Sequence, residues 1–182
     1  MPGQILGNSL ISAGVNFAKR VRRGIDVSAN YRAKLGGNVL LNTQLIYVHG
    51  LQSSNFENSA LPNFENRILS ELGDPKDEAR LDTDLTIGAV TLGYRVHYIG
   101  PMYVNAYEDF NALPSACTPA GCPPNNLDFA DIRKYPAIDY NDVRVEWNVK
   151  GDGFAREMKF YVGMDNIFDK HPPGGIDRHG FG

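Results

Sequence analysis

Val90-Thr91-Leu92-Gly93-Tyr94-Arg95-Val96-His97-Tyr98 decides the fold. Val90, Leu92, Tyr94, Val96 and Tyr98 fall on one side of an extended chain, and Thr91, Gly93, Arg95 and His97 fall on the other. A period of two residues is the mark of a strand with one apolar face. Just upstream, Leu81, Leu85 and Ile87 alternate with Arg80, Asp82, Asp84 and Thr86. Only Gly88-Ala89 separates the two runs, and so short a break between alternating segments predicts a β-hairpin.

The same rhythm recurs in both directions. Ile25, Val27, Ala29 and Tyr31 oppose Asp26, Ser28, Asn30 and Arg32. Val39, Leu41, Thr43, Leu45 and Tyr47 oppose Asn38, Asn42 and Gln44, with Leu40 and Ile46 blurring the polar side. Val143, Val145, Trp147 and Val149 oppose Asp142, Arg144, Glu146, Asn148 and Lys150. Met158, Phe160, Val162 and Met164 oppose Lys159, Tyr161, Gly163 and Asp165. The expectation is an all-β chain, an antiparallel up-and-down meander of about six strands. Composition agrees: 19 Gly and 11 Pro in 182 residues suit turns and disfavour helices.

Alternation by itself also fits a soluble sandwich, whose strands have one buried and one wet face. Three features point to a membrane wall instead. Aromatic residues on the apolar side (Tyr31, Tyr47, Tyr98, Trp147) fall near predicted strand ends, as in an interfacial girdle. Opposite charges sit together on the polar side, Arg80 with Asp82 and Arg144 with Glu146, which a wet lumen tolerates. The connections alternate in length: Lys34–Gly37 is short, 49–79 long, Gly88-Ala89 very short, 109–136 long, Gly151–Gly153 short, and the chain after Asp169 loop-like. Long loops on one rim and tight turns on the other characterise outer-membrane barrels.

The net charge is −3, and Lys19, Arg20, Arg22 and Arg23 are a local cluster, so no basic stripe marks a nucleic-acid surface. The two cysteines, Cys117 and Cys122, lie in one Pro-rich stretch without further zinc ligands nearby. A local disulfide is the expected pairing, and it implies an oxidising side of a membrane. His49, His97, His171 and His179 share no close spacing, and Asp74, Asp77 and Glu78 lack an EF-hand pattern. No nucleophile–base set, P-loop or dinucleotide fingerprint is present. No enzyme activity, metal or cofactor is therefore expected. Phe56, Phe64, Phe110 and Phe129 in the long loops are read as packing the loops together.

Three segments give the chain a family likeness. These are Arg23-Gly24-Ile25-Asp26-Val27; Glu71-Leu72-Gly73-Asp74-Pro75-Lys76 followed by Leu92 to Gly100; and Tyr161-Val162-Gly163-Met164-Asp165-Asn166-Ile167-Phe168-Asp169-Lys170. In order and spacing they resemble the C-terminal part of the barrel of TonB-dependent outer-membrane receptors, over roughly 15–173. Gly163, Asp165, Asn166, Ile167, Phe168 and Asp169 resemble the motif of the family's penultimate strand. A structural role is expected for it: Asp165 and Asn166 bond backbone amides and end the ladder, Ile167 and Phe168 anchor, and Asp169 opens the loop.

The resemblance implies that residues 1–182 are one domain, a partial segment of a 22-stranded barrel in the cell outer membrane. It is expected to lack the signal peptide, plug and final strand, and not to transport alone. The implied partners are outer-membrane lipid, the plug and TonB complex of a parent protein, and a small nutrient such as a ferric siderophore. The long loops would then be extracellular and would hold the ligand-recognising residues, none of which the sequence singles out. The competing expectation is a soluble exported β-sandwich that binds a glycan or other ligand.

Overall fold

The computed structural model describes residues 18–113, 116–126, 128–130, 132–151 and 157–172. Six long strands dominate: β1 (Lys19–Gly36), β2 (Val39–Phe56), β4 (Asp77–Ile87), β5 (Val90–Ile99), β8 (Ile138–Lys150) and β9 (Glu157–Met164). Each pairs antiparallel with its neighbour, in the order β1-β2-β4-β5-β8-β9. The sheet is an up-and-down meander that does not close on itself; β1 and β9 are its edges. Four small elements lie in the long connections: β3 (Asn66–Arg67) beside β2, β6 (Met102–Tyr103) paired with β7 (Lys134–Tyr135), and the short helix α1 (Tyr107–Phe110). Among the described residues no helix is long and apolar enough to cross a membrane.

The tight turns gather at one end. Ile87 pairs with Val90 around Gly88-Ala89, and Gly88 takes φ +59°, the left-handed value that a two-residue hairpin needs at its first position. At the β1–β2 turn, Gly36 and Gly37 take φ +118° and +53°. The turns also bond across: the Gly88 amide donates to Asn38 O at 3.0 Å, and the Asn148 amide to Ala89 O at 2.9 Å. Asp152 and Gly153, read as the third turn, lie outside the described residues.

The long connections gather at the other end; the second, 100–137, is longer than the expected 109–136, and the first is shorter than the alternation suggests. β2 runs on to Phe56 and β4 starts at Asp77, so the first loop is 57–76 rather than 49–79. The cause is a bulge. Arg23 pairs with Gln52 while Gly24 pairs with Gly50, so Leu51 is an extra residue that breaks the period of two and lets the strand continue. Gly24 and Gly50 permit the close approach there. A Cβ on Gly24 would lie 2.9 Å from His49 O, and one on Gly50 would lie 2.7 Å from Leu69.

Candidate functional site: an apolar face, a charged face and a loop cap

Residues opposite one another on antiparallel strands share a face, so the register sorts the sheet into rows. On one face the middle row reads Ala33, Leu41, Leu85, Leu92, Val145 and Val162 across all six strands. The row towards the turns reads Val39, Ile87, Val90, Trp147 and Phe160. Towards the loops follow Tyr31, Thr43, Thr83, Tyr94, Val143 and Met164, then Ala29, Leu45, Leu81 and Val96. No second layer covers this face among the described residues. Val145 is 44% exposed, Trp147 53% and Val162 72%.

The apolar field has limits. Towards the loops Asn141 stands in the Val96 row and Asp139 in the row of Tyr47 and Tyr98, where the field ends; just beyond lie His49 and Asp77. His49 Nδ1 and Tyr47 Oη each stand 2.6 Å from Asp77 Oδ1, and Lys170 pairs with Asp139. From the Tyr98 row to the Val149–Met158 pair is about ten residues, some 34 Å along a strand. Tilted by ~40°, that spans about 26 Å, matching the ~25 Å apolar band of a transmembrane barrel. Tyr31, read as an end-of-strand aromatic, sits in mid-band, because β1 continues twelve residues further towards the loops, to Lys19.

The opposite face is charged. Arg80 and Arg95 both hold Asp82, at 2.7 and 2.6 Å; His97 meets Glu78 at 2.8 Å; Lys159 meets Glu146 at 2.8 Å. Arg144 does not pair with Glu146, its neighbour two places along. It pairs with Asp84, two strands away, through both carboxylate oxygens at 2.9 and 3.0 Å. Gly93 makes this possible by standing between them in the row. A Cβ there would lie 2.5 Å from the Arg144 side chain. Such ladders of neutralised pairs suit a wet surface, where each pair contributes at most ~1 kcal/mol.

The buried core lies off the sheet. Leu69, Met102, Tyr103, Phe110 and Leu113 are buried together where loops 57–76 and 100–137 meet. Phe110 stacks on Tyr103 and takes Phe129 edge-on, while Arg67 sits 4.1 Å over the Tyr107 ring. Phe64 stays partly exposed, and Phe56 carries the Lys19 ammonium at 5.4 Å. The two loops exchange carboxylates. Glu71 of the first accepts from the Tyr107 amide of the second at 2.6 Å, and Glu108 of the second accepts from the Arg67 amide of the first at 2.7 Å. The Tyr103 amide adds a bond to Ser70 O at 2.6 Å. Arg20 and Ser53, on β1 and β2, hold Asp74 and fasten this cap to the sheet.

Burial raises the Glu71 carboxyl above its ordinary value; the Tyr107 amide opposes this, and Glu108, Asp109 and Asp74 reinforce it. A raised carboxyl favours its neutral form in the fold. The resulting stabilisation is present below the ordinary glutamate range and is lost as pH rises through the raised value. We expect the cap of the wild type to resist proteolysis better on the acidic side of that window, and the Glu71→Gln variant to lose the difference. An identical pH profile for both would remove Glu71 as its source.

Cys117 and Cys122 are joined by a disulfide within the cap's second loop. By the loop-entropy relation so short a ring contributes about 2 kcal/mol. Reduction is expected to raise protease sensitivity near 112–126 and to leave the sheet's circular dichroism unchanged.

In the motif 163–169, Asn166 does most of the bonding. Its amide donates to Asp142 Oδ1 at 2.9 Å, and its side chain both donates to Lys170 O and accepts from the Lys170 amide at 3.0 Å. Asn166 and Asp169 take φ +50°, and the Ile167 amide donates to Asn141 O at 2.8 Å. Asp165 makes no hydrogen bond among the described residues, Gly163 pairs with Arg144, and Phe168 is exposed. Asp74, Asp77 and Glu78, weighed together as an acidic group, go separately to Arg20, to His49 with Tyr47, and to His97. No metal-binding cluster exists among the described residues; His171 is exposed, and His179 lies outside them. A scan against protein-family models, a search among curated proteins and a search among solved structures each returned no match.

Proposed function

We propose that this chain is a sector of the wall of an outer-membrane β-barrel, of the kind its motifs resemble in TonB-dependent receptors. The observation that carries the reading is the uncovered apolar face, six strands wide and about 26 Å tall. At ~25 cal/mol per Å², so broad an apolar surface is costly in water and favourable in lipid. The charged face would then line an aqueous lumen, and the disulfide-bearing cap would stand on the exterior. Lipid cannot satisfy a bare strand edge, so β1 and β9 would be flanked by further strands of the same wall. The function that follows is a share in the uptake of a scarce small nutrient, with a ferric siderophore as the ligand the resemblance implies. The plug and TonB coupling would belong to the parent protein.

The test is refolding of the chain with phosphatidylcholine vesicles. The reading expects the chain to float with the vesicles, resist alkaline extraction and gain β-structure. It also expects a single cysteine introduced at Leu92, with the native pair left oxidised, to be shielded from a water-soluble thiol reagent, while one at Thr91 reacts. A folded, monomeric chain that stays in detergent-free buffer and does not float with the vesicles would overturn it and favour a soluble sandwich module, in which Leu92 is shielded as well. Both positions reactive in vesicles would overturn the facing.

A further inference from the structure

The charged face is not evenly filled. In one row Gly93 and Gly163 flank Arg144 on either side, so two neighbouring strands lack side chains there. Beside them lies a hollow of about 310 Å³. Arg95 and Arg144, Asp142 and Asp165, Tyr161 and Gly163 are among the residues that line it. Arg95 engages Asp82 through Nε, and Arg144 engages Asp84 through Nη2. Each guanidinium has five N–H groups, so both keep donors to spare. Asp142 accepts one backbone amide through Oδ1, and Asp165 has no hydrogen-bond partner among the described residues. Donors and acceptors with spare capacity therefore face the same small space.

We propose that this hollow binds a neutral, hydroxyl-rich ring of monosaccharide size. A hydroxyl donates and accepts at once, so a ring bearing several meets Asp142 and Asp165 with its protons and the spare Arg95 and Arg144 donors with its oxygens. Charge argues against an anion. Asp82, Asp84, Asp142 and Asp165 outnumber Arg95 and Arg144 along the lining, four carboxylates to two guanidiniums. The volume stands at the small end of ligand sites, which suits one ring. Tyr161, 80% exposed, offers an aromatic surface for the apolar side of a sugar. In the wall reading, on which this proposal rests for its biological setting, the hollow is a contact point for a hydroxylated solute on the lumen side.

The test is saturation-transfer NMR on the full chain, in vesicles and in detergent micelles. D-glucose and D-galactose are the probes, with inorganic phosphate and propylamine as controls. Gly163→Leu is the decisive variant. A Cβ on Gly163 has its nearest neighbour at 3.4 Å, an ordinary contact, so a side chain fills the hollow without disturbing the strand. Saturable sugar binding is expected, weakened at least tenfold by Gly163→Leu and by Asp142→Asn, with phosphate silent. No saturable sugar signal, an amine signal in its place, or sugar binding indifferent to Gly163→Leu would overturn the assignment. Failure to enter vesicles would instead count against the wall reading. The micelle measurement would still decide the hollow.

Discussion

Val145→Arg is expected to cost ~2–4 kcal/mol of stability in vesicles, while Thr91→Arg, a neighbour on the other face, costs less than ~1 kcal/mol. Val145 occupies the middle row of the apolar face, between Leu92 and Val162 and one row from Trp147. A guanidinium there lies farthest from either boundary, too deep for its stem to reach water easily. Thr91 pairs with Thr86 and Glu146 on the charged face, where an added cation meets a carboxylate. The pair of variants separates facing from general fragility, because both sit near the same height. Denaturant unfolding in phosphatidylcholine vesicles measures both. Equal losses would show that the two faces do not differ in solvent, and the wall assignment would fail with them.

Phe110→Ala is expected to unfold the cap while leaving the sheet in place. Phe110 is 0% exposed and forms the centre of the small core, touching Tyr103 and Phe129. Removing a buried phenyl ring costs ~3–5 kcal/mol. A core of five buried apolar residues among those described has little stability in reserve, so the loss should exceed what the cap holds. Hydrogen exchange reads this directly. The Tyr103 and Ile68 amides, which bond Ser70 O and Ser53 O, should lose protection. The β4–β5 ladder amides should keep theirs. Loss of protection in both regions together would mean that cap and sheet unfold as one unit, contrary to this expectation.

The sheet was legible from sequence because mid-strand residues other than Leu40 and Ile46 follow the period of two, and one register carries that alternation through all six strands. Legibility stopped where the local rule stops. Arg20, Arg22 and Arg23 put charge on both sides of β1, so the alternation starts only at Ile25 although the strand starts at Lys19. Leu51 in its bulge hid the last third of β2. Asp139 and Asn141, polar residues in the Tyr98 and Val96 rows of the otherwise apolar face, hid the start of β8 by breaking its alternation. Arg144 was matched to the wrong carboxylate because the effect of Gly93, an absence of side chain on the next strand, is invisible without the register.

Of the cap, the disulfide and the packing of Phe110 with Phe129 were legible, and the bonds that join its halves were not. Glu71 and Tyr107 are 36 residues apart, and Arg67 and Glu108 are 41 apart. A carboxylate that accepts from a distant backbone amide leaves no pattern in composition or period. α1 has only four residues, and β3, β6 and β7 two each, too few for any periodicity. The hollow beside Gly163 has the same origin: it is made of residues on β5, β8 and β9 that only the pairing brings together.

The meander also sets an order of assembly. Every long strand lies beside the one that precedes it in the chain, so the sheet can lengthen one hairpin at a time, and no strand has to slip between two already joined. The tight-turn hairpins β1–β2 and β4–β5 close over little chain and are fast, whereas β2–β4 and β5–β8 close over 57–76 and 100–137. The cap has no such freedom. Its halves come from the segment between β2 and β4 and the segment between β5 and β8, so its core cannot condense until four strands stand side by side. Sealing of the long-loop end thus waits on the pairing of β2, β4, β5 and β8, and a closed cap reports that those four strands stand in register.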